Sequence, residues 1–481
     1  MKWRWAFLAP LVAACFAACG GSSKPTGSGG GGGGDGGSGG GPAATGGGGS
    51  GGASLSKPEA GIPGCAQKFI DADGVCRPVI EKCPAGTIPK FDTGCIPVGI
   101  AACDGSFLEA DGICHPSIGK CPDGTFAVPS EGCVSIDGDG CGTDAFGLAS
   151  DQAGDQFVDP SNASGTPDGS RANPWPSIAE GLAHVAAGGR VRLAAGAYAE
   201  PLVPASAVAV IGRCASMVTL SGTVGSGEAA AIVLIEDVSG DVSLQGMTLS
   251  GDGYGVVVVG GTVDLDGVVV DGAMTAGIEV GHGGTGTFHH VLVRGTRPAP
   301  DQTLGTGLDA FGGGTATVEQ SAVVGAYTWG IDAVDVGSRV TVSDSLVEGI
   351  QVQASDDAAG YGVIASYGGA AKVDDVAVVA VAGPGLATYD ATSLTATHTL
   401  VDKVSGPHSH GIDLERSTTV NGGNDFFGSG LAVLGTDGTG AGVYTLAKAT
   451  ITASLFAHGR PNVQPTAESF FVTRGGSLIL S

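Results

Sequence analysis

The stretch GIDAVDVGSRVTVSDSLV, Gly330–Val347, holds two patterns that recur down the chain. Val342 and Val347 form an apolar pair five residues apart. Such pairs return at Leu244/Leu249, Leu265/Val270, Phe288/Val293, Val318/Val323 and Val373/Val378, and Ala396/Val401 and Ile451/Phe456 continue the series. From Leu244 to Ala396 successive pairs lie 21 to 31 residues apart, which suits a solenoid whose coils are three short strands joined by corner loops of variable length. Gly330-Ile331-Asp332-Ala333 belongs to the second pattern: AGIEV, TGLDA, WGIDA, YGVIA, PGLAT, HGIDL, AGVYT. In each, a glycine turns the chain, and the residues one and three beyond it are small or aliphatic and point inward. The expected core is a stack of Val, Leu, Ile and Ala ladders, each strand pairing with the coils above and below. Such a core accommodates an aromatic content of only 5%, and the 89 glycines are read as corners.

The residue two beyond each glycine alternates with the inward set. These residues are Glu279, Asp309, Asp332, Ile364, Ala387, Asp413 and Tyr444. Three consecutive coils then place Glu279, Asp309 and Asp332 in one outward line, with neighbouring strands ~4.8 Å apart. Charges at that spacing repel by about 1 kcal/mol in water and about 3 kcal/mol at an effective dielectric of 20. A cation relieves this. Calcium, which takes roughly six to eight oxygens, is expected on the three carboxylates, completed by water or by uronate oxygens of a sugar polymer. Asp335, beside Gly337 where the strand turns, reads as a solvated corner residue.

Ahead of the repeats stands FVDPSNASGTPDGSRANPWPSIAEGLAHVAAGGRVRLAAGAYAE, Phe157 to Glu200. Through Phe157-Val158-Asp159, Asp168-Gly169-Ser170, Asn173-Pro174, Ser177-Ile178, Gly188, Val191, Gly196, Tyr198 and Glu200 it resembles the opening segment of pectate-lyase-like right-handed parallel β-helix proteins, many of them of unknown function. The resemblance implies an all-β, right-handed parallel β-helix over residues 155–481 with an N-terminal helical cap. Ser177 can cap a short helix whose stripe of Ile178, Leu182 and Val185 seals the solenoid end, and His184 lies off that stripe, solvated. Pectate lyases carry calcium on acidic residues of this sheet and use an arginine or lysine as base. That makes Arg294 and Arg339 the candidates, although the register puts both at corners away from the acidic line. GHGG, Gly281–Gly284, is similar to the glycine-histidine-glycine of polygalacturonases, but the paired aspartates that should precede His282 come later, as Asp356-Asp357. GPHSHGIDLE gathers His408, His410, Asp413 and Glu415, residue types suited to metal binding or acid–base work, in what otherwise reads as a polar loop entering a strand. No complete catalytic set assembles, so the catalytic residues remain unknown.

The N-terminus MKWRWAFLAPLVAACFAACGGSS has a basic start and a short apolar run, as a secretory signal does. It resembles a bacterial lipoprotein signal over residues 1–18. FAAC, Phe16–Cys19, makes Cys19 the lipidated residue, with Phe16 in place of the usual aliphatic; VAAC, ending at Cys15, is its rival. Residues 19–60 are nearly all glycine and small polar residues, a flexible tether reaching roughly 30 Å. Over residues 61–146, Cys65, Cys76, Cys83 and Cys95 repeat as Cys103, Cys114, Cys121 and Cys133, each 38 residues on. These two 38-residue repeats read as a disulfide-rich module, since their spacings are wider than zinc ligands usually show. Pairing within each repeat stays open among three possibilities. Cys141 and Cys214 are left for one another, which would clamp the cysteine-rich stalk onto the solenoid.

A formal charge of −25 argues against nucleic acid as a partner. The expectation is a lipid-anchored outer-membrane protein facing the cell exterior, its membrane contact the N-terminal lipid and its partner a polysaccharide or another surface molecule. The competing expectation is a calcium-dependent polysaccharide lyase or hydrolase acting on acidic polysaccharide. FFVTRGGSLILS ends in mid-coil, so another protein or a longer reading frame is expected to close that end.

Overall fold

The computed structural model describes residues 64–481 except 163–164, 227–229, 354, 356–359, 407–408, 416–424, 435–442, 446–447, 458–469, 473–476 and 481. The signal, Cys19, the tether, Asp356-Asp357 and His408 therefore lie outside the described residues. The chain divides into a unit ending at Arg77 and a unit of Pro78–Ser481. In the first, a Cys65–Cys76 bridge closes a loop around the 3-10 turn Gln67–Phe69, whose Phe69 is buried.

The second unit is nearly all β, and its long ladders are parallel. One face is a ten-stranded parallel sheet built from the first strand of each coil, among them Ala276–Gly281, Thr306–Phe311, Trp329–Val334 and Tyr361–Ser366. The second strands, such as Thr315–Glu319 and Arg339–Ser343, stack into another ladder, and the short third strands, such as Ala322–Val324 and Leu346–Glu348, into a third. The strands of these ladders bond to their counterparts one coil away, which is a parallel β-helix, while the cysteine repeats add two antiparallel hairpins, Thr87–Lys90 with Gly94–Pro97 and Thr125–Val128 with Gly132–Ser135. Between the second and third strands one residue is left-handed: Gly246, Gly267, His290, Gln320, Asp344, Asp375 and His398 have φ of 45° to 60°. This single-residue bend turns both members of each apolar pair into the core, so Val342 and Val347 are fully buried.

The repeated glycines do not act as expected. Gly277, Gly307, Gly330, Gly362 and Gly385 are not in the left-handed region. They are required by close approach: a Cβ at Gly307 would stand 2.3 Å from Val323 Cγ1 and 2.5 Å from the Gly330 carbonyl oxygen. The same collision, with Val293, Val347, Val378 and Val401, recurs at Gly277, Gly330, Gly362 and Gly385. Glycine and the second valine of each pair thus meet across one corner of the coil.

The N-terminal cap forms as expected over Ile178–His184, with Ser177 Oγ accepting from Glu180 N at 3.2 Å and Ile178 in the core. His184 is exposed but stacks on Trp175, ring centroids 4.2 Å apart.

Cysteines pair with their sequence neighbours, Cys83–Cys95, Cys103–Cys114 and Cys121–Cys133, and Cys141 joins Cys214. The second repeat is no free stalk. Phe107, Ile113, Phe126 and Val128 pack with Leu292, Ala322, Leu346, Ala377 and Leu400, the outward residues of the third ladder. Polar contacts frame this seam: Ser117 Oγ and Ile118 N donate to the Glu348 carboxylate, each at 2.7 Å, and Ser130 N donates to Asp344 at 2.9 Å.

Candidate functional site

The second cysteine repeat covers much of the third ladder, whereas the ten-stranded sheet carries the acidic residues. Its register aligns Val257 with Glu279, Glu279 with Asp309, Asp309 with Asp332, and then Ile364, Ala387, Asp413 and Tyr444 in turn. The flanking residues Ile278, Val280, Leu308, Ala310, Ile331 and Ala333 belong to the main core, so the carboxylates point away from it. The expected line forms, but its setting differs from that expected. Asp332 and Asp413 are 2% and 4% exposed, while Glu279 and Asp309 are half-buried, so the line is sheltered and is not a solvated face.

Burial governs the chemistry. It raises the Asp309 carboxyl to about 7, and the nearby Asp335 charge adds to the effect. Asp332 and Glu279 are raised well above the carboxylate range by burial first and by the Asp309 charge second. Asp413 is raised by burial and then by Glu415. Asp309 Oδ1 and Asp413 Oδ1 are buried and accept no hydrogen bond, and Asp332 has one long contact, from Ser366 Oγ at 3.4 Å. Asp335 lies at the corner after Trp329–Val334, as expected, but it is half-buried there, left-handed at φ 77°, and close enough for its charge to act on Asp309 and Asp332.

Aromatic residues stand at the ends of the strands that carry the acidic line or of their neighbours. Trp329 and Tyr361 are paired in register at one end of their strands, and Phe311 and Tyr389 lie at the other, Tyr389 beside Tyr367 with ring centroids 5.2 Å apart. All five are half-buried. In a chain with 4 tryptophans and 7 tyrosines this concentration on one sheet is informative. In the sequence this shows as Trp329 three residues before Asp332 and Phe311 two after Asp309, with Tyr361 and Tyr389 in the same places relative to Ile364 and Ala387.

The remaining candidates fall elsewhere. Arg294 is exposed and pairs with Asp271 at 2.8 Å, and Arg339 is exposed on the second ladder. No ion pair among the described residues reaches Glu279, Asp309, Asp332 or Asp413. His282 is exposed and left-handed at φ 51°, edge-on to Phe311 at 5.3 Å. Gly281 is explained by that same ring, since a Cβ there would stand 2.2 Å from Phe311 Cζ. Of the histidine-rich loop, Asp413 joins the acidic line, but two apolar rungs separate it from Asp332. Among the described residues, the places where three metal-ligating side chains bring donor atoms within 4.8 Å of one another are not on this sheet.

No protein-family model matches the chain, and no curated protein matches it. Solved structures similar to it include a GH136 lacto-N-biosidase from Eubacterium ramulus, 13% identical over 68% of each chain with a TM-score of 0.37. The catalytic domain of a GH87 α-1,3-glucanase is 10% identical over 69% of this chain and 70% of that one, TM-score 0.36. The pectate lyase Pel9A is 15% identical over 67% and 78%, TM-score 0.27.

Proposed function

We propose that the acidic face of the ten-stranded sheet, with aromatic residues at its strand ends, binds a polysaccharide, on a protein held at the outer membrane by lipid on Cys19. The observation that supports this reading is the sheltered in-register run Glu279, Asp309, Asp332, with Trp329, Tyr361 and Phe311 at strand ends. Aromatic faces stack on the apolar faces of sugar rings, and carboxyls accept or, when protonated, donate hydrogen bonds to hydroxyls. Calcium has a place in this reading. Asp309 and Asp332 could offer two carboxylates from adjacent rungs, water or uronate oxygens filling the shell, and binding would displace the protons that burial favours. Affinity electrophoresis over a panel of neutral and acidic polysaccharides tests the proposal, with and without calcium. Retarded migration that is lost in Trp329→Ala and Asp309→Asn is expected; no retardation across the panel, or retardation unchanged in both variants, would overturn it. Detergent partitioning of the expressed protein, lost in Cys19→Ser and kept in Cys15→Ser, tests the anchor.

One observation favours a second reading, hydrolysis. Asp309 and Asp332 are register neighbours on adjacent strands, whose backbones run ~4.8 Å apart, and burial favours a proton on the pair, as one carboxyl of a retaining glycosidase needs. Elimination by a lyase needs a base, and no arginine or lysine pairs with this line among the described residues. Release of reducing ends without ultraviolet-absorbing unsaturated products is the outcome that distinguishes hydrolysis.

A further inference from the structure

On the corner between the second and third ladders, two consecutive histidines and an aspartate converge. Asp266 and His289 are neighbours in register, and one donor atom each from Asp266, His289 and His290 lie within 4.8 Å of one another. Consecutive residues of a strand normally point to opposite faces. Here His290 is the left-handed residue of its coil, φ 51°, and the bend brings its ring to 3.9 Å from that of His289, centroid to centroid.

A hydrogen-bond relay decides which nitrogen is free. Gln320 Nε2 donates to Glu131 Oε1, which turns Gln320 Oε1 toward His289 Nε2 at 2.6 Å. His289 Nε2 must therefore carry a hydrogen, and in the neutral ring Nδ1 is left with a lone pair. That lone pair faces Asp266 Oδ1 at 3.3 Å. Two acceptors do not rest face to face at that distance without a proton or a cation between them, and about 3.3 Å is also the edge of a tetrahedron of zinc bonds of about 2.0 Å. His290 repeats the arrangement. Its Nε2 is buried, makes no hydrogen bond, and lies 3.4 Å from Glu131 Oε2. A carboxylate near the distal imidazole nitrogen is the kind of partner that metal-bound histidines usually have, and a small turn of the His290 ring would complete the hydrogen bond.

We infer that Asp266, His289 and His290 form a binding site for a divalent transition metal of zinc's preferences, with Gln320 and Glu131 orienting the two rings. Two imidazoles and one carboxylate suit zinc and leave a fourth position open. Because Glu131 belongs to the second cysteine repeat, the metal would also tie that repeat to the helix. The site lies on a different face from the acidic line, so neither reading depends on the other. The test is calorimetric titration of zinc chloride into the full, disulfide-bonded protein after chelator treatment, in parallel with His289→Ala, Asp266→Asn and the control His398→Ala. One saturable site is expected, weakened more than about tenfold in the first two variants and unchanged in the control. Absence of saturable binding, or equal affinity in all four proteins, would overturn the site. Should a variant fail to fold, zinc-edge X-ray absorption of the unmutated protein decides: two imidazoles with oxygen support the inference, and a shell with no more than one imidazole refutes it.

Discussion

Asp309 is a carboxyl of the acidic line that burial raises to about 7, and its stability effect has a definite sign. Its ordinary value is 3.8, and in the folded protein it is pushed up to about 7 by burial and then by Asp335. Between those values the folded state keeps a proton that the unfolded chain has released, so this contribution is intact below about pH 3.8 and lost as pH rises through 7. One pH unit corresponds to about 1.4 kcal/mol, so the whole effect is at most about 4 kcal/mol, and less where Asp332 shares the proton. Asp309→Asn removes the liability. Urea unfolding in chelator-containing buffer is expected to show the variant more stable by roughly 1–3 kcal/mol at pH 7.5 and level with the parent at pH 4. A variant no more stable at pH 7.5 would mean that a bound cation or an unrecognised donor already compensates the charge.

At the scale of the strand, the two sequence patterns are the two sides of one contact. Gly307 and Val323 meet across a coil corner, and a methyl at Gly307 has no free direction: Val323 Cγ1 lies on one side and the backbone of the next coil on the other. Gly307→Ala is expected to cost about 2–3 kcal/mol by overpacking. Trimming the partner opens the corner, so Gly307→Ala with Val323→Ala should cost measurably less than the sum of the two single changes in thermal or urea unfolding. A strictly additive pair would show the backbone clash with Gly330 to be the whole effect. This contact also explains what was legible. A ladder of identical steric problems must be solved the same way in every coil, so glycine and valine recur at fixed distance and disclose the fold. The pairing of Glu279, Asp309 and Asp332 follows from that register and was readable for the same reason. Their burial was not, because alternation along a strand says which face a residue takes and not how much solvent reaches that face. His289, His290, Gln320 and Glu131 were illegible as a group, since a left-handed bend and a distant repeat bring them together.

For the Pro78–Ser481 unit as a whole, the second cysteine repeat acts as a strap along the third ladder, and sequence periodicity contained the clue. The residue just before the second member of each pair, Leu292, Ala322, Leu346, Ala377 and Leu400, is apolar although it faces outward. A row of outward apolar residues on a solenoid needs a cover, and Phe107, Phe126 and Val128 supply it. Two changes separate the strap's chemistry from its covalent tie. Leu346 is fully buried at the seam, and Leu346→Ala is expected to cost about 2–4 kcal/mol and to raise dye binding to exposed apolar surface. Replacing Cys141 and Cys214 by serine leaves the seam in place but frees a loop spanning 73 residues in the unfolded chain, a chain-entropy loss of about 4 kcal/mol. The disulfide variant should therefore unfold at lower denaturant while hydrogen exchange near Phe107 and Phe126 stays protected under native conditions. If exchange there rises to the level of free loops, apolar burial along the ladder is insufficient to hold the strap, and the Cys141–Cys214 tie is what keeps it seated.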